Sequence, residues 1–271
     1  MGFLSESVYH YVGKGNLDYI QHTHENAYEI IQVWNDDGHF LINDMSYAMQ
    51  PGAVFVVDAS FFHYSAPKCV SMYKRSKVVF DKMQLRKAAA ALGFEAQLDA
   101  LFCQGGRVIY QTEDKIRETD NCFLRICEKN YANADTLDVA AELLILLRLL
   151  AQQEEIVTAP EKELLDKIIH AVNRNLSEQI SVEGISRDVF VNKYYLCHYF
   201  KEHTGMTLMD YVNIRRVAMA KALLVDTQMP VADIAEKCGY NSSSYFGKKF
   251  REVEGMSPVE YRHKRVTSFK T

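Results

Sequence analysis

The chain has 271 residues, 48% of them hydrophobic, with 31 Lys and Arg against 35 Asp and Glu. That length and apolar share suit two globular cores and exclude a disordered or fibrous chain. No secretory signal opens the sequence, and its most apolar run, residues 140–151, is too short to span a bilayer and carries Glu142 and Arg148.

A cytoplasmic protein is therefore expected, with its six cysteines, none in a Cys-x-x-Cys pair, as reduced thiols. The charge is unevenly spread. Residues 1–159 hold 14 Lys and Arg against 21 Asp and Glu, a net of −7, whereas residues 160–271 hold 17 against 14, a net of +3. Cations release counterions only where they meet phosphates, so the basic half is the one suited to nucleic acid.

From residue 8 to residue 80 the signals are those of strands. Residues 28–34, 40–42, 53–57 and 77–80 are β-branched and aromatic, and turn residues at 13–16, 35–38, 51–52 and 66–67 punctuate them. Short strands at this spacing predict a sandwich or small barrel. His22 and His24, two apart, share one face of a strand, and Glu29 and His63 follow. The stretch resembles a cupin motif, His-x-His-x4-Glu, with a loose second motif at Pro51, Gly52 and His63. Such a group can hold a metal, bind a polar organic effector, or satisfy itself. An effector pocket of His22, His24, Glu29, Trp34 and His63 is the favoured reading, with Tyr47 and Tyr64 as neighbouring aromatics; the metal site His22, His24, Glu29 and His63 is its rival.

Helical signals follow. Residues 81–93 are Ala-rich and end in Gly93, residues 113–131 repeat apolar positions near period 3.6, and residues 135–153 are apolar almost all round. The last of these predicts burial on more than one side, against the sheet or in a dimer. Val108 starts a further short strand, and residues 152–160, polar and closed by Pro160, read as a linker.

The C-terminal half opens with a helix over 161–175 and then repeats itself. Tyr195, Leu196, Phe200, Gly205 and Tyr211 recur fifty residues on as Tyr245, Phe246, Phe250, Gly255 and Tyr261. Ahead of the turn the offset is forty-nine, pairing Val182 with Val231, Ile185 with Ile234 and Ser186 with Ala235, so one extra residue lies near Gly239. Small Ser186 and Ala235 allow close helix packing, and the pairs Leu196/Phe200 and Phe246/Phe250 anchor one face of each following helix. Thr207/Asp210 and Ser257-Pro258/Glu260 are matched helix starts. One long helix over 211–226 joins the two helix–turn–helix copies.

The second copy resembles the signature of AraC/XylS-type transcription regulators, read here from Ala235 through Gly239-Tyr240, Ser244-Tyr245-Phe246, Lys248, Phe250-Arg251, Gly255 and Ser257-Pro258 to Tyr261-Arg262. The joining helix, with Tyr211, Arg216, Ala220, Leu223 and Leu224, is similar to the family's own. The resemblance implies base contacts from Tyr194, Cys197 and His198 in the first recognition helix and from Ser243, Ser244 and Lys248 in the second. Lys193, Lys201, Lys249 and Arg251 would reach phosphates, with the two helices about 34 Å apart in successive major-groove segments. Cys197-His198 and Gly247-Lys248 stand where most members carry Ser-Arg, which predicts a different operator and weaker guanine readout in the first module.

The expected class is α+β in two domains: a cupin-like β-barrel with flanking helices over 1–153, a linker over 154–162, and an all-α tandem helix–turn–helix domain over 163–271. The expected function is a sequence-specific DNA-binding regulator, an activator of carbohydrate-related genes, answering to a small polar, sugar-like effector. The expected partners are double-stranded DNA, that effector, a second copy through the N-terminal domain, and RNA polymerase. No cofactor is expected, and no nucleophile–base group or phosphate-cradling Gly loop suggests an enzyme. The alternative is a cupin-type metal-dependent enzyme with an appended DNA-binding domain.

Overall fold

The computed structural model describes residues 8–13, 26–34, 38–43, 45–67, 73–132, 135–153 and 164–268, which fall into two compact units on either side of residue 160. In the first unit, β1 (Tyr9–Gly13), β7 (Lys74–Asp81), β2 (Ala27–Val33), β5 (Val54–Asp58) and β8 (Gly106–Ile109) form one antiparallel sheet in that order. A second sheet runs β4 (Met45–Ala48), β3 (Gly38–Ile42), β6 (His63–Pro67). Among the described residues no strand pairing joins the two sheets into a closed barrel.

Alternation along β2 explains how the sheets are covered. Ile31 and Val33 point toward the second sheet and pack with Phe40, Ile42, Phe55 and Val57; the rings of Phe40 and Phe55 stack at 4.2 Å. Tyr28 and Ile30 point the other way, into a core shared with α1 (Lys82–Leu92), α2 (Glu95–Leu101), α3 (Glu113–Tyr131) and α4 (Thr136–Ala151). A strand buried on both faces reads as a continuous apolar run, and β2 and β5 are buried at every position. Individual strands β1, β4 and β6 and the helix α2 carry weaker patterns and are not separately legible in the sequence.

Helix α4 buries Val139, Leu143, Leu146, Leu147 and Leu150 and leaves Leu137 75% exposed and Ile145 half exposed. Its one buried acid, Glu142, is matched by Arg125 at 2.8 Å and Lys129 at 3.0 Å from α3. Opposite charges on facing helices let a carboxylate enter an apolar stripe.

The second unit is all helical: α5 (Leu164–Arg174), α6 (Val182–Asp188), α7 (Lys193–Thr204), α8 (Leu208–Asp226), α9 (Val231–Lys237), α10 (Ser243–Glu254) and α11 (Pro258–Ser268). Caps set the starts. Ser181, Asn192, Thr207, Ser242 and Ser257 each accept from a backbone N–H three residues on. Glu260 completes a capping box by accepting from Ser257 N–H at 2.7 Å. Gly205 and Gly255 end α7 and α10 in the left-handed conformation.

The repeat is visible in contacts as well as in letters. Phe200 meets Tyr211 at 5.4 Å between ring centroids, and Phe250 meets Tyr261 at 5.5 Å. Val191 N–H donates to Ser186 O and Tyr240 N–H to Ala235 O, both at 3.0 Å. The left-handed residue of the first turn is therefore Phe190 (φ 57°), matching Gly239 (φ 78°) in the second. The inserted residue falls after this bend, at Asn241, between Tyr240 and the N-cap Ser242.

Phe190 is 93% exposed, so it has little packing to offset the strain of a bulky side chain in that region. Gly239 has no alternative: a Cβ there would lie 2.5 Å from Leu176 O and 2.6 Å from the Arg216 guanidinium. Phe190→Gly is expected to stabilise the second unit by about 0.5 kcal/mol, the relief of strain less glycine's entropy. Gly239→Ala is expected to cost about 2 kcal/mol or more. Urea unfolding followed by helical circular dichroism on the full chain checks both signs.

Candidate nucleic-acid interface and inter-sheet polar group

Once Leu196 and Phe200 are buried in the first module, the rest of α7 is left for a partner. Tyr194 is 78% exposed, and Lys193, Cys197, His198 and Lys201 are exposed beside it. In α10, Phe246 and Phe250 take the core, and Ser243, Ser244, Lys248 and Arg251 are exposed while Lys249 is half-buried. The six positions expected to meet bases are thus all on open helix surface.

Local ion pairs hold most of these cations. Lys193 meets Glu183 at 3.1 Å, His198 meets Glu202 at 3.7 Å, and Lys248 and Lys249 share Glu252 at 4.0 and 2.8 Å. Arg251 approaches Glu260 at 3.9 Å. Exposed pairs of this kind are screened by water and contribute little, so a phosphate can replace the carboxylate at little cost. Lys201 has no carboxylate partner among the described residues. Two further exposed rings, Tyr195 and Tyr245, flank the same faces at equivalent places. Their shared spacing marked them in the sequence only as points of register.

Helix α8 belongs to both modules. Its N-terminal half supplies Leu208, Tyr211 and Val212, and its C-terminal half supplies Val217, Ala220 and Leu224 to the second core. Arg216, 7% exposed, donates to Leu176 O at 3.0 Å and Glu178 O at 2.5 Å and lies 5.3 Å from the Tyr240 ring. Lys221 pairs with Glu254 at 2.8 Å, joining α8 to the end of α10. Arg262 donates to Leu224 O and Met229 O, closing the approach to α9.

The first unit holds a second group of polar side chains between its sheets. Glu29, 1% exposed, lies 2.7 Å from Lys77 and 3.5 Å from Nε2 of His63. Burial alone would push its acid range up, but His63 and Lys77 outweigh that and hold Glu29 well below the usual carboxylate range. Arg75, two residues from Lys77 on the same face of β7, lies 5.6 Å from the Tyr9 ring and 5.4 Å from the Tyr73 ring. Tyr73 donates its hydroxyl to Ser65 at 3.2 Å.

Of the expected pocket residues, Glu29 and His63 come together. Trp34 does not join them: its indole donates to Ser76 Oγ at 3.3 Å, on the face of the sheet that Gln32 and Ser76 share and Glu29 does not. Tyr47 faces Phe40 across β3 and β4, on the inter-sheet side that His63 shares, whereas Tyr64 alternates away from His63 on β6. His22 and His24 lie outside the described residues. Among the described residues no three His, Cys, Asp or Glu side chains gather as metal ligands. Lys77, Arg75, Tyr9 and Tyr73 are not singled out by sequence; alternation along β7 from an inward residue finds Lys77, Arg75 and Tyr73, while Tyr9 enters through the pairing of β1 with β7.

Residues 185–264 match a family described as a helix–turn–helix domain. An HTH-type transcriptional activator RhaR of Enterobacter sp. (strain 638) is 27% identical over 91% of this chain and 88% of its own length. A second, from Yersinia pseudotuberculosis serotype O:3 (strain YPIII), is 26% identical over 92% and 87%. Among solved structures, a transcriptional regulator of Chromobacterium violaceum with an AraC-type DNA-binding domain is 26% identical over 40% of this chain and 96% of that one, with a TM-score of 0.37. The DNA-binding domain of AdpA in complex with a target DNA is 26% identical over 39% and 94%, also with a TM-score of 0.37. With its tandem modules on a shared helix and the signature running from Ala235 to Arg262, the second unit is an AraC-type helix–turn–helix domain.

Proposed function

We propose that the chain activates transcription by binding a specific DNA site through α7 and α10, under the control of a small polar effector held in a cupin-like N-terminal domain. The observation that carries this reading is the pair of matched helices, each anchored by two residues four apart, presented from one shared helix. Two full-length relatives named as HTH-type transcriptional activators support activation. The family resemblance supports carbohydrate-related target genes, and activation implies RNA polymerase as a partner. The rival reading as a metal-dependent enzyme is not supported, since those relatives are regulators and Glu29 is already engaged by Lys77 and His63.

In this scheme Tyr194, Cys197 and His198 read one groove segment and Ser243, Ser244 and Lys248 the next. Lys193, Lys201, Lys249 and Arg251 hold phosphates. The exposed Leu137 and Ile145 of α4, with half-buried Leu144 and Leu149, support a dimer through the first unit. The domain limits 1–153 and 163–271, with a linker between, fit this division of labour.

Binding to a promoter fragment should weaken steeply with salt, because each phosphate contact releases counterions. Affinity independent of salt would overturn the reading. Lys201→Ala should weaken all sequences alike and reduce the log–log salt slope by about 1, whereas His198→Ala and Lys248→Ala should each relax preference at one base pair by about 1–3 kcal/mol. Competition binding on a randomised site library separates the two classes of effect.

A further inference from the structure

The inter-sheet group is unbalanced in charge. Glu29 is its only carboxylate among the described residues, and Lys77 at 2.7 Å neutralises it. His63 is the carboxylate's second partner. Arg75 is left over. Its neighbours are the rings of Tyr9 and Tyr73, and no carboxylate among the described residues pairs with it. Neither ring can supply the missing charge: burial pushes the Tyr9 hydroxyl up to about 12, and raises that of Tyr73 as well. The hydroxyls of Tyr9 and Tyr73 take hydrogen bonds from Arg75 but no charge, so a half-buried guanidinium unmatched by any carboxylate among the described residues keeps its remaining donors for a planar anion.

We infer that the effector carries a carboxylate, bound by the Arg75 guanidinium between Tyr9 and Tyr73, with its hydroxyl-bearing body turned toward Ser65, Glu29 and Lys77. The inference rests on the effector reading above and narrows it from sugar-like compounds to hydroxy acids such as sugar acids. A neutral sugar would leave Arg75 uncompensated. A phosphate dianion would bring two charges beside an ionised Glu29, where one suffices for Arg75. A monocarboxylate matches the guanidinium fork with two parallel hydrogen bonds and closes the charge count.

The test uses the full chain, with D-galacturonate and D-gluconate set against D-galactose, D-glucose and glucose 6-phosphate at constant ionic strength. Melting temperature and titration calorimetry are the readouts. At least one acid should raise the melting temperature and bind more tightly than its neutral counterpart. Arg75→Met should weaken that acid about tenfold or more, while leaving the melting temperature of the ligand-free chain unchanged or higher. A lower ligand-free melting temperature would make Arg75 a structural staple and overturn the inference. Neutral sugars or the phosphate binding better than the acids would overturn it while leaving the effector reading intact. Silence across the acids overturns the carboxylate assignment whatever Arg75→Met does; silence across all five compounds, with a destabilised Arg75→Met, counts against the effector reading too.

Discussion

The second unit depends on one buried guanidinium. Arg216 leaves the middle of α8 and donates to the carbonyls of Leu176 and Glu178, in the segment that leads from α5 toward α6. It lies at the same time against the ring of Tyr240, at the exit of the second turn. Burial penalises its charged form and lowers its pKa, though an arginine remains ionised, so the site must offer carbonyl dipoles and an aromatic face in place of water. Two segments distant in sequence are thereby fixed to one helix. Gly239 follows from the same constraint, because the guanidinium and Leu176 O fill the space a side chain would need.

The two turns answer that constraint differently. Both need a left-handed residue after the first helix, and both then place the following N–H on the carbonyl of the small residue, Ser186 or Ala235. In the second module the space is closed by Arg216, and glycine is the residue that fits. In the first the position opens to solvent, and Phe190 occupies it at a cost in backbone strain. The better-formed second module is held by Arg216, Arg262 and the buried Lys221–Glu254 pair. Departures from the common Ser-Arg pattern can then be carried at Cys197 and His198 without loosening the frame that presents them.

Much of this was legible in the letters. Repeated aromatic anchors, caps such as Thr207 and Ser257, and terminal glycines identified both modules, because each acts within one or two helical turns. The helices α1, α3 and α4 were legible for the same reason. What depended on long-range pairing was less so. The inserted residue was located only to the neighbourhood of Gly239, since the left-handed role of Phe190 is a backbone property that its side chain does not announce. Trp34 is expected beside Glu29 as a ring to stack on an effector, yet the two are five residues apart and so fall on opposite faces of the strand. Counting alternation from Glu29 would have separated them. Pairing β7 against β2 is what brings Lys77 to Glu29, and no local signal encodes a partner forty-eight residues away.

The same interior shows how unlike charges serve unlike ends. Glu29 is buried in full and doubly partnered, so removing either partner would leave an uncompensated charge in an apolar place. It belongs to the frame. Arg75 is less deeply buried, and among the described residues its partners are the rings and hydroxyls of Tyr9 and Tyr73, which stay protonated. A fold selected for stability alone would match such a cation or replace it with an apolar side chain, as α4 does in matching Glu142 to Arg125 and Lys129. A cation unmatched by any carboxylate among the described residues, beside a well-matched pair, is therefore the part of this interior left for the carboxylate effector inferred above.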